Sequence, residues 1–365
     1  NLAQLLPGDL NVSYLPNSGG ESVEGALKMA YKYHDGKRRF VLHSDISFHG
    51  KLLGCGSVTG SRETSYNFQE IPNVETFRYN DLESVREQIS KLRDKRGGSD
   101  VYALIVEPFS ASSLRETSEE FLRGLREICT QEEIVLIFDE VYTGWGKTGE
   151  LFHFMRHEGL VPDILTSSKS FGGGKATVSL YVAREPIFRK AYDNLNDFTL
   201  HSSTYNAFGE ESITALEAVN IVVEDDYPAK ARHIGERLGS GLRHLKEKHP
   251  KILQEVLGIG GLRGIMINPG PKVLQAATRA VPVGMFKDKQ FLNKLTTCAV
   301  ISELYAAHGI LTSFGANERI VLWIAPALIV TDEEIDLFLD GLDKTLDVGL
   351  LSLVLKLLKS KFFQR

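Results

Sequence analysis

Cysteine is scarce in this chain. There are three in 365 residues, Cys55, Cys129 and Cys298; none pairs as CxxC, and an odd number cannot close as a complete disulfide set. That usage points to a reducing, cytoplasmic setting with structural thiols. Long apolar runs are missing too. The longest, Ile320–Val330, is broken by Pro326 and falls far short of the roughly 18 residues a membrane span needs, and no signal peptide is read at the start. Charge of one sign is not in excess: 42 Lys+Arg against 47 Asp+Glu leave a net −5, which offers no basic footprint for nucleic acid. Several catalytic signatures are also absent. There is no HExxH, the ten histidines suggest no metal-ligand spacing, and no GxSxG occurs. What is present, 42% hydrophobic and 24% charged residues, suffices for a real core. The length suits one large domain and a smaller one.

Short β-branched bursts occur at Phe40–His43, Tyr102–Val106, Ile134–Phe138, Asp163–Thr166 and Val178–Ala183. Between them lie stretches of helical spacing such as Glu21–His34 and Ser118–Cys129, where Phe121, Leu125 and Ile128 share a face. Apolar strands joined through helices predict an α/β fold, a mostly parallel sheet covered on both sides. After about Tyr227 the texture changes. A charged helical run (Pro228–His249), a glycine-rich segment with a strand at Leu262–Ile267, and a helix around Phe291–His308 follow. Thr331 with Glu334 reads as a capping box opening a further helix. These features predict a large domain over 1–221, a small α+β domain over 222–348, and a Leu/Lys-rich helical tail over 349–365. For the tail, packing on the small domain or a partner is favoured over an amphipathic helix at a membrane surface.

In open parallel sheets ligands bind beyond the carboxyl ends of the strands. Those ends carry Glu107-Pro108, Asp139-Glu140, and Lys169 followed by Gly172-Gly173-Gly174. Upstream, Asn17-Ser18-Gly19-Gly20-Glu21-Ser22 opens an amphipathic helix, with Ser18 and Glu21 spaced as a capping box. Two glycines there let an anion approach bare N–H groups at the positive end of the helix dipole; a plain capped helix is the competing reading. Two nucleotide-like patterns fail. In Gly174-Lys175-Ala176-Thr177 the leading P-loop glycine would be Lys169, and in Gly258–Gly264 the third glycine comes one residue late. An anion cradle, a strand-end acid and a lysine beside a glycine turn match the needs of pyridoxal 5′-phosphate: a phosphate seat, a carboxylate that keeps the pyridine nitrogen protonated, and a lysine for the aldehyde carbon.

The same residues resemble class III aminotransferases, pyridoxal-phosphate enzymes of fold type I. The likeness rests on Asp139-Glu140-Val141, Thr143–Gly149, Pro162-Asp163-Ile164 and Lys169–Gly174, with Asn17–Lys28 and Phe48-His49-Gly50 upstream. His201–Tyr205 and Pro326-Ala327-Leu328 keep the register downstream. Around Asn17–Glu24 the wording is nearest to putrescine- and ornithine-type members. The resemblance implies Lys169 as Schiff-base lysine and proton shuttle, Asp139 as pyridinium partner, Phe48 and Val141 on the two ring faces, and Gly19 and Gly20 as phosphate loop. It also implies a homodimer in which Thr204 reaches the neighbouring subunit's phosphate, and ping-pong transfer between an amine donor and an aldehyde or ketone.

Departures concern the substrate side. Where many members carry a carboxylate-binding arginine three residues before Pro326, this chain has Trp323, and Arg319 lies four residues earlier. Tyr142 stands where Gln or His is usual, Phe109–Ser113 replaces a segment rich in Gly and Glu, and Asn206-Ala207-Phe208-Gly209 replaces Gly-Gly-Asn-Pro. These changes suggest an amine or carbonyl partner without a carboxylate. Only Asn1–Pro16 precede the phosphate loop, so the resemblance implies a missing N-terminal part and a chain cut from a longer, even fused, protein. The rival readings are an aminomutase of the glutamate-1-semialdehyde type, a racemase, or a non-catalytic scaffold.

Overall fold

The computed structural model describes residues 2–60, 68–197, 199–270 and 290–362. The sequence also reads as a loop containing Pro269, Gly270, Pro271 and Pro282, of which Pro271 and Pro282 lie outside the described residues. The chain divides into two compact units: Asn1–Ala111, Glu116–Gly146 and Glu150–Pro228 in the first, Ser112–Arg115, Lys147–Gly149 and Ala229–Arg365 in the second.

The first unit is built on a seven-stranded sheet. Its strands are β1 (Leu10–Tyr14), β2 (Phe40–Ser44), β3 (Val74–Phe77), β4 (Val101–Val106), β5 (Val135–Asp139), β6 (Ile164–Ser167) and β7 (Leu180–Arg184), in the spatial order β1-β7-β6-β5-β4-β2-β3. Pairs from β3 through β6 are parallel; β7 runs antiparallel to both β6 and β1. Side chains of alternating residues enter two separate cores, as the two-residue period of a strand demands. Leu104, Leu136, Phe138 and Leu165 join Phe121, Leu125 and Ile128 of helix Glu119–Gln131 on one face. Ala103, Ile105, Val135, Ile137 and Ile164 join Val23, Ala26, Leu27 and Met29 of α1 (Gly19–Tyr33) on the other. Both faces are therefore covered, the condition under which strands read as unbroken apolar runs.

Two differences from the sequence reading have physical causes. Edge strands β1 and β3 escape it because they are half-polar and only partly buried. The last strand begins at Leu180 rather than Val178, because Ser179 turns back to the phosphate-loop segment: its N–H donates to the Pro16 carbonyl and its hydroxyl to the Ser18 carbonyl, each at 2.8 Å.

The second unit carries a four-stranded antiparallel sheet: β8 (Leu253–Ile259), β9 (Leu262–Ile267), β10 (Ser313–Ala316) and β11 (Ile320–Ile324), in the order β8-β9-β11-β10. The dinucleotide-like glycines are the hairpin between β8 and β9, where Gly258 and Gly260 adopt φ of 92° and 53°, a conformation only glycine takes cheaply. Ile265, Ile267, Leu322 and Ile324 pack with Leu238 and Leu242, Val300 and Leu304, and Leu342 and Leu346 from three helices. The Thr331 capping box forms as expected. The tail is a helix, Leu350–Phe362, that buries Leu350, Leu353 and Val354 in this core and pairs Lys356 with Glu303 at 2.6 Å. Among the described residues no helix is long and apolar enough to cross a membrane.

Candidate active site

The site lies within the first unit, at the carboxyl ends of β5 and β6. Parallel pairing sets Asp139 opposite Thr166, so the strand-end acid stands three residues from Lys169 on the neighbouring strand's exit. The Asp139 carboxylate is buried and held at both oxygens. Oδ1 accepts from the Val141 N–H at 2.9 Å and the Thr166 hydroxyl at 3.1 Å. Oδ2 lies 2.6 Å from His49 Nδ1. A carboxylate can only accept, so Nδ1 carries the proton of that bond. The ring's other nitrogen, Nε2, is buried without a hydrogen-bond partner. His49 belongs to the quoted Phe48-His49-Gly50 motif, yet the sequence reading assigns it no role; nothing local in sequence indicates that residue 49 meets residue 139.

Glu140, the next residue, faces the opposite way. Its carboxylate accepts from the Thr143 hydroxyl, the His153 N–H and the Phe154 N–H, and complete burial pushes its pKa up to about 7. It braces the 143–154 segment, whereas Asp139 addresses the crevice. Glu107, the third strand-end acid, receives the N–H of Phe48 at 3.0 Å and that of Ala111 at 3.3 Å, so it fixes the backbone that carries Phe48. Burial raises its pKa to about 7, against the opposing pull of His49.

Lys169 opens a single 3₁₀ turn after β6 with φ of 49°. A left-handed lysine costs about 1–3 kcal/mol and persists only where its surroundings impose it. Its side chain retains exposed surface but reaches into a crevice crowded with protein, with Nζ 4.9 Å from the centre of the Tyr142 ring. Desolvation there lowers its pKa below the usual lysine value, against the upward pull of Asp139 and Glu107.

The glycines close the arrangement. Ser18 caps α1: its hydroxyl accepts from the Glu21 N–H, while the Glu21 carboxylate accepts from the backbone of Ser18 and Asn17. A Cβ on Gly19 would lie 2.8 Å from Val141 Cγ1 and 3.4 Å from Ser168 Cβ. A side chain here would press on the Val141 tip, so a bare glycine is what lets the helix start sit this close to both strand exits. A Cβ on Gly50 would lie 3.5 Å from the Gly20 Cα, which ties the loop after His49 to the same helix start. Residues 19–20, 48–50, 139–141 and 168–169 therefore converge. Thr204 sits apart from them on an exposed segment. That segment runs beside the chain's own Asn17, whose side-chain amide donates to the Tyr205 and Thr177 carbonyls.

Residues 1–346 match the model of the family described as aminotransferase class-III. The chain belongs to that family, whose members are pyridoxal-phosphate-dependent transaminases, and its fold is their fold type I. Solved structures of transaminases share the architecture at low identity. A transaminase from the marine bacterium Virgibacillus superposes with a TM-score of 0.81 at 22% identity, over 98% of this chain and 78% of that one. An (S)-enantioselective omega-transaminase from Thermomicrobium roseum gives 0.80 at 22%, over 95% and 77%. The ornithine aminotransferase of Toxoplasma gondii gives 0.76 at 23%, over 94% and 74%.

The described residues fit the family's cofactor. A helix start of bare glycines, a buried carboxylate already bound to an imidazole, and a lysine of lowered basicity are what phosphate, ring nitrogen and aldehyde would each require.

Proposed function

We propose that this chain moves an amino group from an amine donor to an aldehyde or ketone, using pyridoxal 5′-phosphate. Bound there, the cofactor would supply an electron sink for the donor's Cα–H bond. The N–H groups at Gly19 and Gly20 would hold its phosphate, joined by Thr204 of the partner subunit in a homodimer. Phe48 and Val141 would flank the ring. Asp139, oriented by His49, would keep the ring nitrogen protonated. Lys169 would hold the aldehyde carbon and, once released by the donor, carry the proton between the donor's Cα and the cofactor. Its lowered pKa favours the neutral amine that both tasks need. One site serving donor and acceptor in turn implies ping-pong kinetics.

The observation that carries this reading is the His49–Asp139 bond at 2.6 Å, on the strand next to the one that delivers Lys169. On the substrate side, Arg319 is engaged by Glu255 at 3.2 Å, which supports a donor without an α-carboxylate; a putrescine-like diamine is the first to try. The deciding experiment incubates chain and cofactor with a donor and no acceptor. Release of about one free carbonyl per site supports amino transfer. An aminomutase would release none, and a scaffold would also fail to form a borohydride-fixed adduct at Lys169.

A further inference from the structure

A second cluster in the first unit has no part in this chemistry. After the N–H groups of His153 and Phe154 have been given to Glu140, the 3₁₀ turn His153–Arg156 presents two imidazoles four residues apart. His153 is fully buried and His157 is 9% exposed. One donor atom from each of these rings and one from Glu116 lie within 4.8 Å of one another. His153 and His157 stand at a spacing that metal-ligand pairs use, which the sequence reading passed over; Glu116, the third member, is far away in sequence.

The rings are prepared for something other than protein. His157 Nδ1 lies 3.4 Å from a Glu119 carboxylate oxygen, which favours a proton on Nδ1 and a lone pair on Nε2. That Nε2 is buried and has no hydrogen-bond partner. Neither nitrogen of His153 has one either, and its Nε2 stands 3.5 Å from Glu116 Oε1. Buried imidazole nitrogens are normally paired, and a ring oriented from behind by a carboxylate is the arrangement of metal-ligating histidines.

We propose that Glu116, His153 and His157 bind a divalent transition metal ion, zinc foremost, with Glu119 orienting His157. Two imidazoles and one carboxylate leave a fourth, water-filled position and suit zinc or cobalt rather than calcium or magnesium, which take oxygen ligands. Bonds of about 2.1 Å would put the donor atoms about 3.4 Å apart, so donor atoms now within 4.8 Å of one another draw in by at most about 1.4 Å on binding. Arg156, now 3.1 Å from Glu116 Oε1, is one-third exposed and gives way to the doubly charged ion. The metal would clamp Glu116 to the turn that supports Glu140, a bracing role independent of amino transfer.

Zinc and cobalt titrations of the full chain, with and without pyridoxal 5′-phosphate, test this. We expect one equivalent of Co²⁺ to bind with the visible d–d bands of a four-coordinate nitrogen and oxygen site, and Zn²⁺ to displace it and raise the melting temperature. Glu116→Gln and His157→Asn should each weaken binding by at least about 10-fold, and Glu119→Gln by about 10-fold. Glu116 is exposed, so its variant keeps the test intact should His157→Asn fail to fold. Absence of binding to the unaltered chain, a thiolate charge-transfer band, or affinity unchanged in Glu116→Gln would each overturn the proposal.

Discussion

His49 Nδ1 and Asp139 Oδ2 are 2.6 Å apart, and both side chains are almost wholly buried. The carboxylate therefore enters the crevice with its orientation already set, one oxygen by an imidazole and the other by Val141 and Thr166. Breaking one member of such a pair leaves the other buried and under-satisfied, a loss of about 1.5–3 kcal/mol for a hydrogen bond to a charged group. His49→Ala should lower the melting temperature by several degrees, and the donor half-reaction should slow even when cofactor is saturating. An effect on melting alone, with the half-reaction unchanged, would deny His49 its positioning role.

Lys169→Ala should abolish the borohydride-fixed adduct and slow amino transfer by at least about 1,000-fold, within the range attributed to a positioned proton carrier. Exogenous small amines should restore part of the rate. In the unaltered chain, adduct formation should rise with pH and level off below the ordinary lysine range, because desolvation depresses the Lys169 pKa.

Glu107 and Glu140 carry the opposite shift. Both are raised to about 7 by burial, above their unfolded values, so the folded chain binds more protons than the unfolded one between about pH 4.5 and 7. The stability that these groups contribute is full below that window and is lost as pH rises through about 7. Glu107→Gln, which stays neutral, should flatten part of the decline in melting temperature between pH 5 and 8. An unchanged slope would count against the shift.

Gly19→Ala inserts a methyl 2.8 Å from Val141 Cγ1. The valine tip can yield, so the melting temperature should hardly move, whereas pyridoxal 5′-phosphate affinity, read by absorbance titration, should fall about 10-fold. Gly98→Ala, where a Cβ would meet nothing closer than Asp94 Oδ2 at 3.5 Å, is the control.

Much of this was legible from local pattern. Apolar bursts marked β2, β4, β5 and β6 because both sheet faces are buried, and that same burial leaves no polar alternation to confuse them with surface strands. The Ser18–Glu21 and Thr331–Glu334 spacings named both helix starts, since a capping box is satisfied within four residues. The site was legible only in part. Asp139, Lys169 and the Gly19-Gly20 pair stood out by residue type at strand and helix ends, but only the resemblance preferred Asp139 to Glu140; the physical difference, one turned toward the crevice and the other toward the 143–154 segment, comes from strand alternation. His49 and Glu107 acquire their meaning from partners 90 and 59 positions away.

Composition, periodicity and short spacings thus determined the α/β class, the order of elements and the chemistry-bearing side chains, because each depends on neighbours within a few residues. Sheet order, the contact between Gly19 and Val141, the imidazole behind Asp139 and the Glu116–His153–His157 cluster were decided only by tertiary structure. They arise where strand pairing and core packing bring distant residues within bonding distance, and no local free energy encodes such meetings.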